Sequence, residues 1–370
     1  MPRARTERPA ILVVNPGSTS TRVALFAPER GSVRFLAEHT VAHTARALAR
    51  FRRVAEQLPM RARLVERWLA GRDARLAAVA GRGGLLAPLP GGTYRVNAAM
   101  LRDLALARRG EHASNLGALI ANRIARPRRI PAFVVDPVAV DELAPEARLT
   151  GLPEIPRRSV FHALSQKAAA RRAAAALGKS YARARLIIAH LGGGISVGAH
   201  RGGRVVEVNN ALDGEGPFSP ERAGTLPAGD LVRLATSSKV ARAALLRRIA
   251  GRGGLVAHLG TNSLLEAERR ARRSKRARLV LDAMAYGVAR AICAAAAALD
   301  GRVDAVAITG AMAGSRRLVN SIRRRVAFLG PVFMYPENLE MVALAEGALR
   351  VLAGREHSRV YRPRGPRKKT

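Results

Sequence analysis

Apolar residues run without a break through Ile11–Val14, stop at Asn15–Thr21, and resume at Val23–Phe26, so the stretch reads "ILVVNPGSTSTRVALF". A short continuous apolar run bounded by turn residues is the pattern of a buried strand, and two such runs predict a strand pair joined at a hairpin tip. From Glu38 to Gly71 the apolar positions recur every three or four residues, which predicts amphipathic helices. A strand at "LAAVA" then ends in Gly81-Arg82-Gly83-Gly84 and a Pro/Gly loop. Ala98–Ala125 alternates helix, a polar break at His112–Asn115, and helix. The strand in "IPAFVVDPVAVDEL" runs into Asp136 and Pro137, where the missing proline N–H helps to end pairing.

The stretch "ARLTGLPEIPRRS" is irregular and proline-containing, and it places a domain junction near residue 155. After it come the helix "SVFHALSQKAAARRAAAAL" and the strands and glycine turns of "ARLIIAHLGGGISVGAHRGGRVVEVNN". From Asp230 the pattern is mostly helical, interrupted by the strand "VDAVAITGAMAG" and a short one around "PVFMYP". One internal echo stands out. "ILVVNPGSTSTRVALF" and "LIIAHLGGGISVGAH" share an apolar strand, one polar residue (Asn15 or His190), a loop of small residues and a returning strand, as a duplicated domain would.

A length of 370 residues predicts two domains. The first is expected to take residues 1–155 with a C-terminal helix near 339–353, the second residues 156–338, leaving 354–370 as a basic, disordered tail. The net charge of +37 raises the question of nucleic acid. Arginine, however, is scattered over every predicted helix, with concentrated runs only at "ERRARRSKRAR" and the C-terminus. Aromatic residues make up only 4%, too few for the stacking platforms of single-strand binders, so no specific nucleic-acid partner is expected. The longest apolar helix carries Asp282 and Arg290, and no membrane partner is expected either. The basic N-terminus has no apolar core of a signal peptide, which points to the cytoplasm. The single cysteine, Cys293, lies in an alanine-rich helix and reads as a small buried thiol.

The candidate chemistry sits at the loops. Successive Gly, Ser and Thr expose N–H and O–H donors without bulk, which suits phosphate oxygens. In the first loop Ser18 and Ser20 are the hydroxyl donors and Arg22 the cation. In the second, Gly192, Gly193 and Gly194 follow a buried strand directly, and His190 ends that strand. A third glycine turn, "ITGAMAGS", lies between a strand and a helix, an arrangement that suits a nucleotide's sugar and base. Three such turns imply a clamped nucleotide. At two further strand ends, Arg82 offers a planar fork to a carboxylate or phosphate, and Asp136 either holds Mg²⁺ through water or caps the following turn.

With these residues in place the chain resembles the butyrate kinase branch of the acetokinase family, within the acetate and sugar kinase, Hsp70 and actin superfamily. The resemblance is carried by "NPGSTSTRVALF", "GRGGLLAPLPGGTYRVN", "EHASNLGALIANRIA", "GLPEIPRRSVFHALSQKAAARRA", "HLGGGISVGAH", "VNNALDGEGPFSPERAGTLPAGDL" and "ITGAMAG", spread over residues 11–352. It implies an α/β fold of two ribonuclease-H-like lobes, each with a five-stranded mixed sheet flanked by helices, and a nucleotide cleft. It also implies ATP and Mg²⁺ as cofactors, a carboxylic acid as second substrate with butanoate foremost, and a homo-oligomer, dimer or larger. By position, Asn15, Ser18, Ser20 and Arg22 would meet the phosphates from one side, and His190 with Gly192–Gly194 from the other. Gly310 and Gly314 would bracket the adenosine. Arg82 would hold the substrate carboxylate, His112 would line the acyl pocket or phosphoryl site, and Asp136 would lie beside Mg²⁺. The family's transition-state arginine has no counterpart at the matching spacing, which falls on Pro227, and Arg222 is the arginine in that loop. The metal-side glutamate is matched by Glu340 or Glu337. Two other readings stay open: a kinase for another short or branched acid such as isobutyrate, propionate or acetate, and a non-catalytic nucleotide-gated interaction protein on the same scaffold.

Overall fold

The computed structural model describes residues 9–237 and 240–363. The chain gathers into two compact units, one holding the residues up to Val140 and from Glu340 onward, the other Asp141–Leu339. The first unit opens with β1 (Ala10–Pro16), β2 (Ser20–Pro28) and β3 (Val33–Ala42), and continues through the helix Leu58–Ala70 to β4 (Leu76–Gly81) and β5 (Thr93–Arg95). The helices Ala98–Ala105 and Asn115–Ala125 precede β6 (Ala132–Val135). In the second unit the helix Ala163–Ala176 leads to β7 (Leu186–Leu191), β8 (Ile195–Arg201) and β9 (Arg204–Val208). Helices ending with Lys275–Ala295 then lead to β10 (Ala305–Thr309), the helix Arg316–Val326 and β11 (Val332–Tyr335). The helix Glu340–Leu352 and β12 (Arg359–Val360) belong again to the first unit.

The two sheets are ordered β12-β5-β6-β4-β1-β2-β3 and β11-β10-β7-β8-β9. In the first, β1, β2 and β3 form an antiparallel meander and β4 and β6 add in parallel beside β1. In the second, β7, β8 and β9 form the meander and β10 and β11 add in parallel beside β7. The echo in the sequence is therefore a repeat of topology. The first sheet has seven strands where five were expected, because β5 and β12 extend it beyond β6.

A strand with a parallel neighbour and helices on both faces reads as a near-continuous apolar run, and all seven residues of β1 are buried, Asn15 near its end included. Its Leu12 and Val14 share one core with Leu116, Ile120 and Ile124 of one helix and Val65 and Leu69 of another. On β6, Ala132 faces that core, so Val135 points to the opposite face. There it meets Gly347 of the helix Glu340–Leu352, where a Cβ would lie 2.5 Å from the Val135 methyl groups. In the second unit, Ile187, Ala189 and Leu191 of β7 share a core with Val280, Met284, Val288 and Ile292. Those four, at four-residue spacing, are the inner stripe of a helix that with its continuation to Leu299 is long and apolar enough to cross a membrane by length and composition. Its stripe is committed to this core.

Three further expectations change. Glu38–Ala42 is strand, not helix, because pairing with β2 gives its backbone a partner and sets Glu38 against the Arg22 guanidinium at 2.7 Å. The junction falls after Val140 and not near 155. There Glu142 accepts from Val205 N–H at 2.9 Å and Ala144 N–H donates to Val206 at 2.9 Å, which fastens these residues to β9. The segment expected as a disordered tail contributes β12 and buries Tyr361, while residues 364–370 lie outside the described residues. The Tyr361 hydroxyl donates to Asp103 Oδ2 at 2.8 Å and accepts from Ala87 N–H at 3.2 Å, and Asn97 Nδ2 donates to the Tyr361 carbonyl at 2.9 Å.

Tyr361→Phe leaves a buried carboxylate oxygen and a buried N–H without that hydroxyl, so it is expected to destabilise the protein by about 2 kcal/mol in urea denaturation. A midpoint equal to wild type would show that the C-terminal strand is a passive passenger.

Candidate functional site

The tip of the first hairpin is Gly17–Thr19, closed by Gly17 N–H donating to Ser20 O at 2.8 Å. Behind it lies Arg61, 1% exposed, which donates to the carbonyls of Gly17 at 2.8 Å, Ser20 at 3.0 Å and Ser18 at 3.2 Å. Its remaining donors reach Thr21 Oγ1 at 3.1 Å and Gln57 Oε1 at 2.8 and 3.0 Å. Burial lowers the guanidinium pKa to about 10, so it keeps its charge at neutral pH. With three carbonyls turned inward to a cation, the exposed rim at Ser18 and Thr19 is left richer in N–H and hydroxyl donors. Arg22, expected as the phosphate cation, is paired across the sheet with Glu38.

Asn15 is buried and donates from Nδ2 to Glu340 Oε2 at 3.0 Å. The other oxygen of Glu340 takes the Arg82 guanidinium in an ion pair, and Arg82 N–H donates to Val14 O at 2.9 Å, just past the end of β4. The glycines around Arg82 are there for packing. A Cβ on Gly81 would lie 2.2 Å from Gly117 O, one on Gly83 2.3 Å from Pro137 Cβ, and one on Gly84 2.3 Å from Asn115 Oδ1. Asn115 in turn accepts from Leu85 N–H at 2.9 Å and donates to Gly110 O at 3.0 Å, tying the Arg82 turn to the turn that carries His112. His112 Nδ1 accepts from Ser114 N–H at 3.2 Å, which leaves the ring hydrogen on Nε2. Burial first, and the nearby Arg82 charge second, lower its pKa and keep the ring neutral.

The contact of Gly83 with Pro137 sets the Arg82 turn beside Asp136. Asp136 is 1% exposed with φ +38°, a conformation that costs a non-glycine residue of order 1 kcal/mol. Reciprocal bonds hold it there: Gly92 N–H donates to its Oδ1 at 2.7 Å and its own N–H donates to Gly92 O at 3.0 Å. Among the described residues no group of three or more His, Cys, Asp or Glu is placed to hold a metal. Mg²⁺ bound with phosphates and water needs only one or two protein carboxylates, and the carboxylate set beside the Arg82 turn is Asp136. Glu340 has cationic or amide donors on both oxygens, and Glu337 pairs with Arg172 at 2.7 Å.

In the second unit the hairpin tip is Gly192–Gly194, closed by Gly192 N–H donating to Gly194 O at 3.1 Å. Its glycines make room for neighbouring side chains. A Cβ on Gly194 would lie 2.0 Å from the Arg222 guanidinium, one on Gly192 3.2 Å from His190 Nε2, and one on Gly193 3.4 Å from Glu221 Oε2. Ser219 Oγ donates to Gly193 O at 2.6 Å, and the Arg222 guanidinium donates to Ala211 O. Burial pushes the Arg222 pKa down. The His190 ring stacks on His162 with centroids 4.0 Å apart. Gly310, at φ +94°, is required by close approach, since a Cβ there would lie 2.4 Å from Leu191 O, whereas around Gly314 a Cβ would meet nothing within 4 Å. Ser315 caps the following helix by accepting from Leu318 N–H at 3.0 Å.

The structure thus joins Asn15, Arg82 and Glu340 directly, sets His112 and Asp136 around them, and in the other unit joins His190, Gly192–Gly194 and Arg222. Sequence reasoning missed Arg61 and His162. Arg61 left a signal, because it falls on the buried stripe Arg61, Ala62, Val65, Trp68, Leu69 of its helix, where a charge needs a reason. His162 left none.

The family model described as the acetokinase family matches residues 148–359. Butyrate kinase 2 of Clostridium acetobutylicum is 47% identical over 356 residues, 95% of this chain and 99% of that protein. Among solved structures, the acetate kinase of Porphyromonas gingivalis aligns with a TM-score of 0.71 at 18% identity, over 94% of this chain and 100% of its own. A propionate kinase from Francisella tularensis aligns with a TM-score of 0.68 at 17% identity, over 92% and 98%. These two share the fold.

Arg61→Met removes the cation beneath the first hairpin while keeping much of its volume. It is expected to cost about 2 to 4 kcal/mol in chemical denaturation, and to speed amide exchange at Gly17–Ser20. Unchanged exchange at the tip would mean that the strands alone hold it.

Proposed function

The chain belongs to the acetokinase family, and from that premise we propose that it reversibly transfers the γ-phosphoryl group of ATP to the carboxylate of butanoate, giving butanoyl phosphate and ADP. The observation that carries this reading is the 47% identity with a butyrate kinase, sustained over 95% of the chain.

A fatty acid is ionised at pH 7, so its attack on the γ-phosphorus needs no general base. Repulsion between the carboxylate and the triphosphate opposes the reaction, and fixed cations lower it. Arg82 is the residue for the carboxylate. Its fork has five donors, Glu340 fixes its direction, and its side chain is still 32% exposed. His112, neutral and with its hydrogen on Nε2, stands near Arg82 as a donor to the acyl carboxylate or to the phosphoryl group. Asp136 is the residue to hold Mg²⁺ through water, and that ion, when bound, neutralises charge on the phosphates. Glu340 serves by holding Arg82.

The first hairpin offers Ser18 and Ser20 to phosphate oxygens, with Asn15 behind them. In the second unit the Gly192–Gly194 tip serves the same purpose, and His190 donates a hydrogen bond to the phosphoryl group in transfer. Arg222, packed against Gly194, is the cation for the charge that develops in transfer. Gly310 and Gly314 border the adenosine. A cytoplasmic homo-oligomer completes the reading, and sedimentation of the purified chain measures its assembly.

The test is acyl phosphate formation, trapped as a hydroxamate, with Mg-ATP and acids from acetate to hexanoate, isobutyrate and isovalerate included. A kcat/KM maximum at butanoate is expected; a maximum elsewhere renames the substrate, because one methylene in an apolar pocket is worth only about 1 to 3 kcal/mol. No product with any acid, despite ATP binding, would reduce the protein to a nucleotide-gated binder. Arg82→Ala is expected to raise the KM for butanoate and lower kcat while ATP affinity stays near wild type. Loss of ATP affinity as the main defect would remove Arg82 from the carboxylate.

A further inference from the structure

Two short helices of the second unit, Ala228–Thr236 and Arg242–Ile249, carry apolar residues at three- and four-residue spacing yet are hardly packed. No residue of the first is buried, and of the second only Leu245 is. Their apolar side chains line a cavity of about 700 Å³ instead. Leu231 and Leu234 come from the first helix, Leu245 and Ile249 from the second, and Val256 from the helix Gly254–Leu259, with Phe218 at their side. Leu226 and Leu234 on its wall stay 40% and 38% exposed. A cavity of this size takes a small organic molecule, and leucines that line it without filling it offer apolar surface still to be buried.

The polar part of the wall is basic. Arg248, Arg252 and His258 stand there with one carboxylate, Asp230, and Asp230 Oδ1 already takes the Arg233 guanidinium at 2.6 Å. The His258 ring leans on Phe218, with centroids 5.9 Å apart. Neither Arg248 nor Arg252 has a carboxylate partner among the described residues. Apolar walls beside two unanswered planar forks match a molecule with an alkyl tail and a carboxylate head. The cavity also touches the backbone that carries Arg222. Ala223 N–H donates to Ile249 O at 3.0 Å, Gly253 N–H donates to Glu221 O at 3.0 Å, and Arg222 pairs with Ala250 in a one-residue antiparallel bridge. Ala223, Ile249 and Gly253 all line the cavity, so a molecule packed against them bears on the pairing that holds Arg222.

We propose that this cavity is a second carboxylate site, which takes a straight-chain fatty carboxylate of about eight to twelve carbons, head on Arg248 and Arg252 and tail among the leucines, and that its occupation stiffens the Arg222 segment and raises kcat. A four-carbon acid buries too few methylenes to be held there, so the site responds to acids longer than the substrate. The effect on kcat rests on the assignment of Arg222 to phosphoryl transfer. The binding does not.

The test is calorimetric titration of hexanoate, octanoate and decanoate into the Arg82→Ala chain, where the substrate's own carboxylate clamp is gone. One saturable site is expected, tightening about four-fold per added methylene. The exposed pair Arg248→Gln and Arg252→Gln together should weaken decanoate at least about ten-fold while leaving kcat without decanoate unchanged, and Leu231→Trp, which fills the cavity, should abolish binding. In the wild-type chain decanoate is expected to slow amide exchange at Ala223 and Gly253 and, with butanoate saturating, to raise kcat roughly two- to five-fold. No saturable heat, or an affinity untouched by both sets of substitutions, overturns the site. Binding that leaves exchange at Ala223 and Gly253 as it was overturns the stiffening. Binding with slowed exchange but an unchanged kcat overturns the rate effect, and an Arg222→Ala enzyme with wild-type kcat then places the fault in the Arg222 assignment. An oligomer in sedimentation that Leu234→Asp dissociates would show a second copy covering the cavity, and that too overturns the site.

Discussion

A hairpin tip of three small residues has almost nothing of its own to keep it still, and the polar groups packed behind each of the two tips supply what it lacks. In the first unit a single buried guanidinium, Arg61, binds the tip through the carbonyl oxygens of Gly17, Ser18 and Ser20. Burying that charge is costly unless every donor finds a partner, and Arg61 spends its donors on the tip, on Thr21 and on Gln57. In the second unit Ser219 and Arg222 take the equivalent place against Gly193 and Gly194. Three carbonyls of the first tip and that of Gly193 in the second are held from behind, and anion binding by backbone depends on that polarity.

The same crowding changes the meaning of the glycines. Gly81, Gly83, Gly84 and Gly117 are small because backbones and side chains meet there at distances no Cβ tolerates. Their contacts lock the Arg82 turn onto the His112 turn and against Pro137, beside Asp136. Arg82 thus owes its position to what its neighbours lack, and its direction to the carboxylate of Glu340, which returns from the far end of the sequence.

The surplus of 37 positive charges attracts anions in general, and cannot by itself select one. Selection has to come from cations whose geometry is fixed. Arg61 is buried and committed to backbone carbonyls, and Arg22 is neutralised by Glu38. Arg82 combines a fixed direction with an exposed fork, and that combination marks it out among so many arginines.

The sequence by itself determined what local pattern can carry. The strand-tip-strand units at Asn15 and His190, the helix with its inner stripe at Val280–Ile292, and the strand-end positions of Arg82 and Asp136 were legible because apolar runs and turn residues are local signals. So was the family, through motifs spread from residue 11 to 352. Tertiary structure decided the rest. Glu38–Ala42 became strand because β2 was available to pair with it, the junction moved to Val140 because β9 captured the residues that follow, and Tyr361 was buried because Asp103 and Ala87 waited for its hydroxyl. Arg61, Glu340 and His162 are held by partners distant in sequence, and a hydrogen bond or ion pair between such residues leaves no period in the chain from which it can be read.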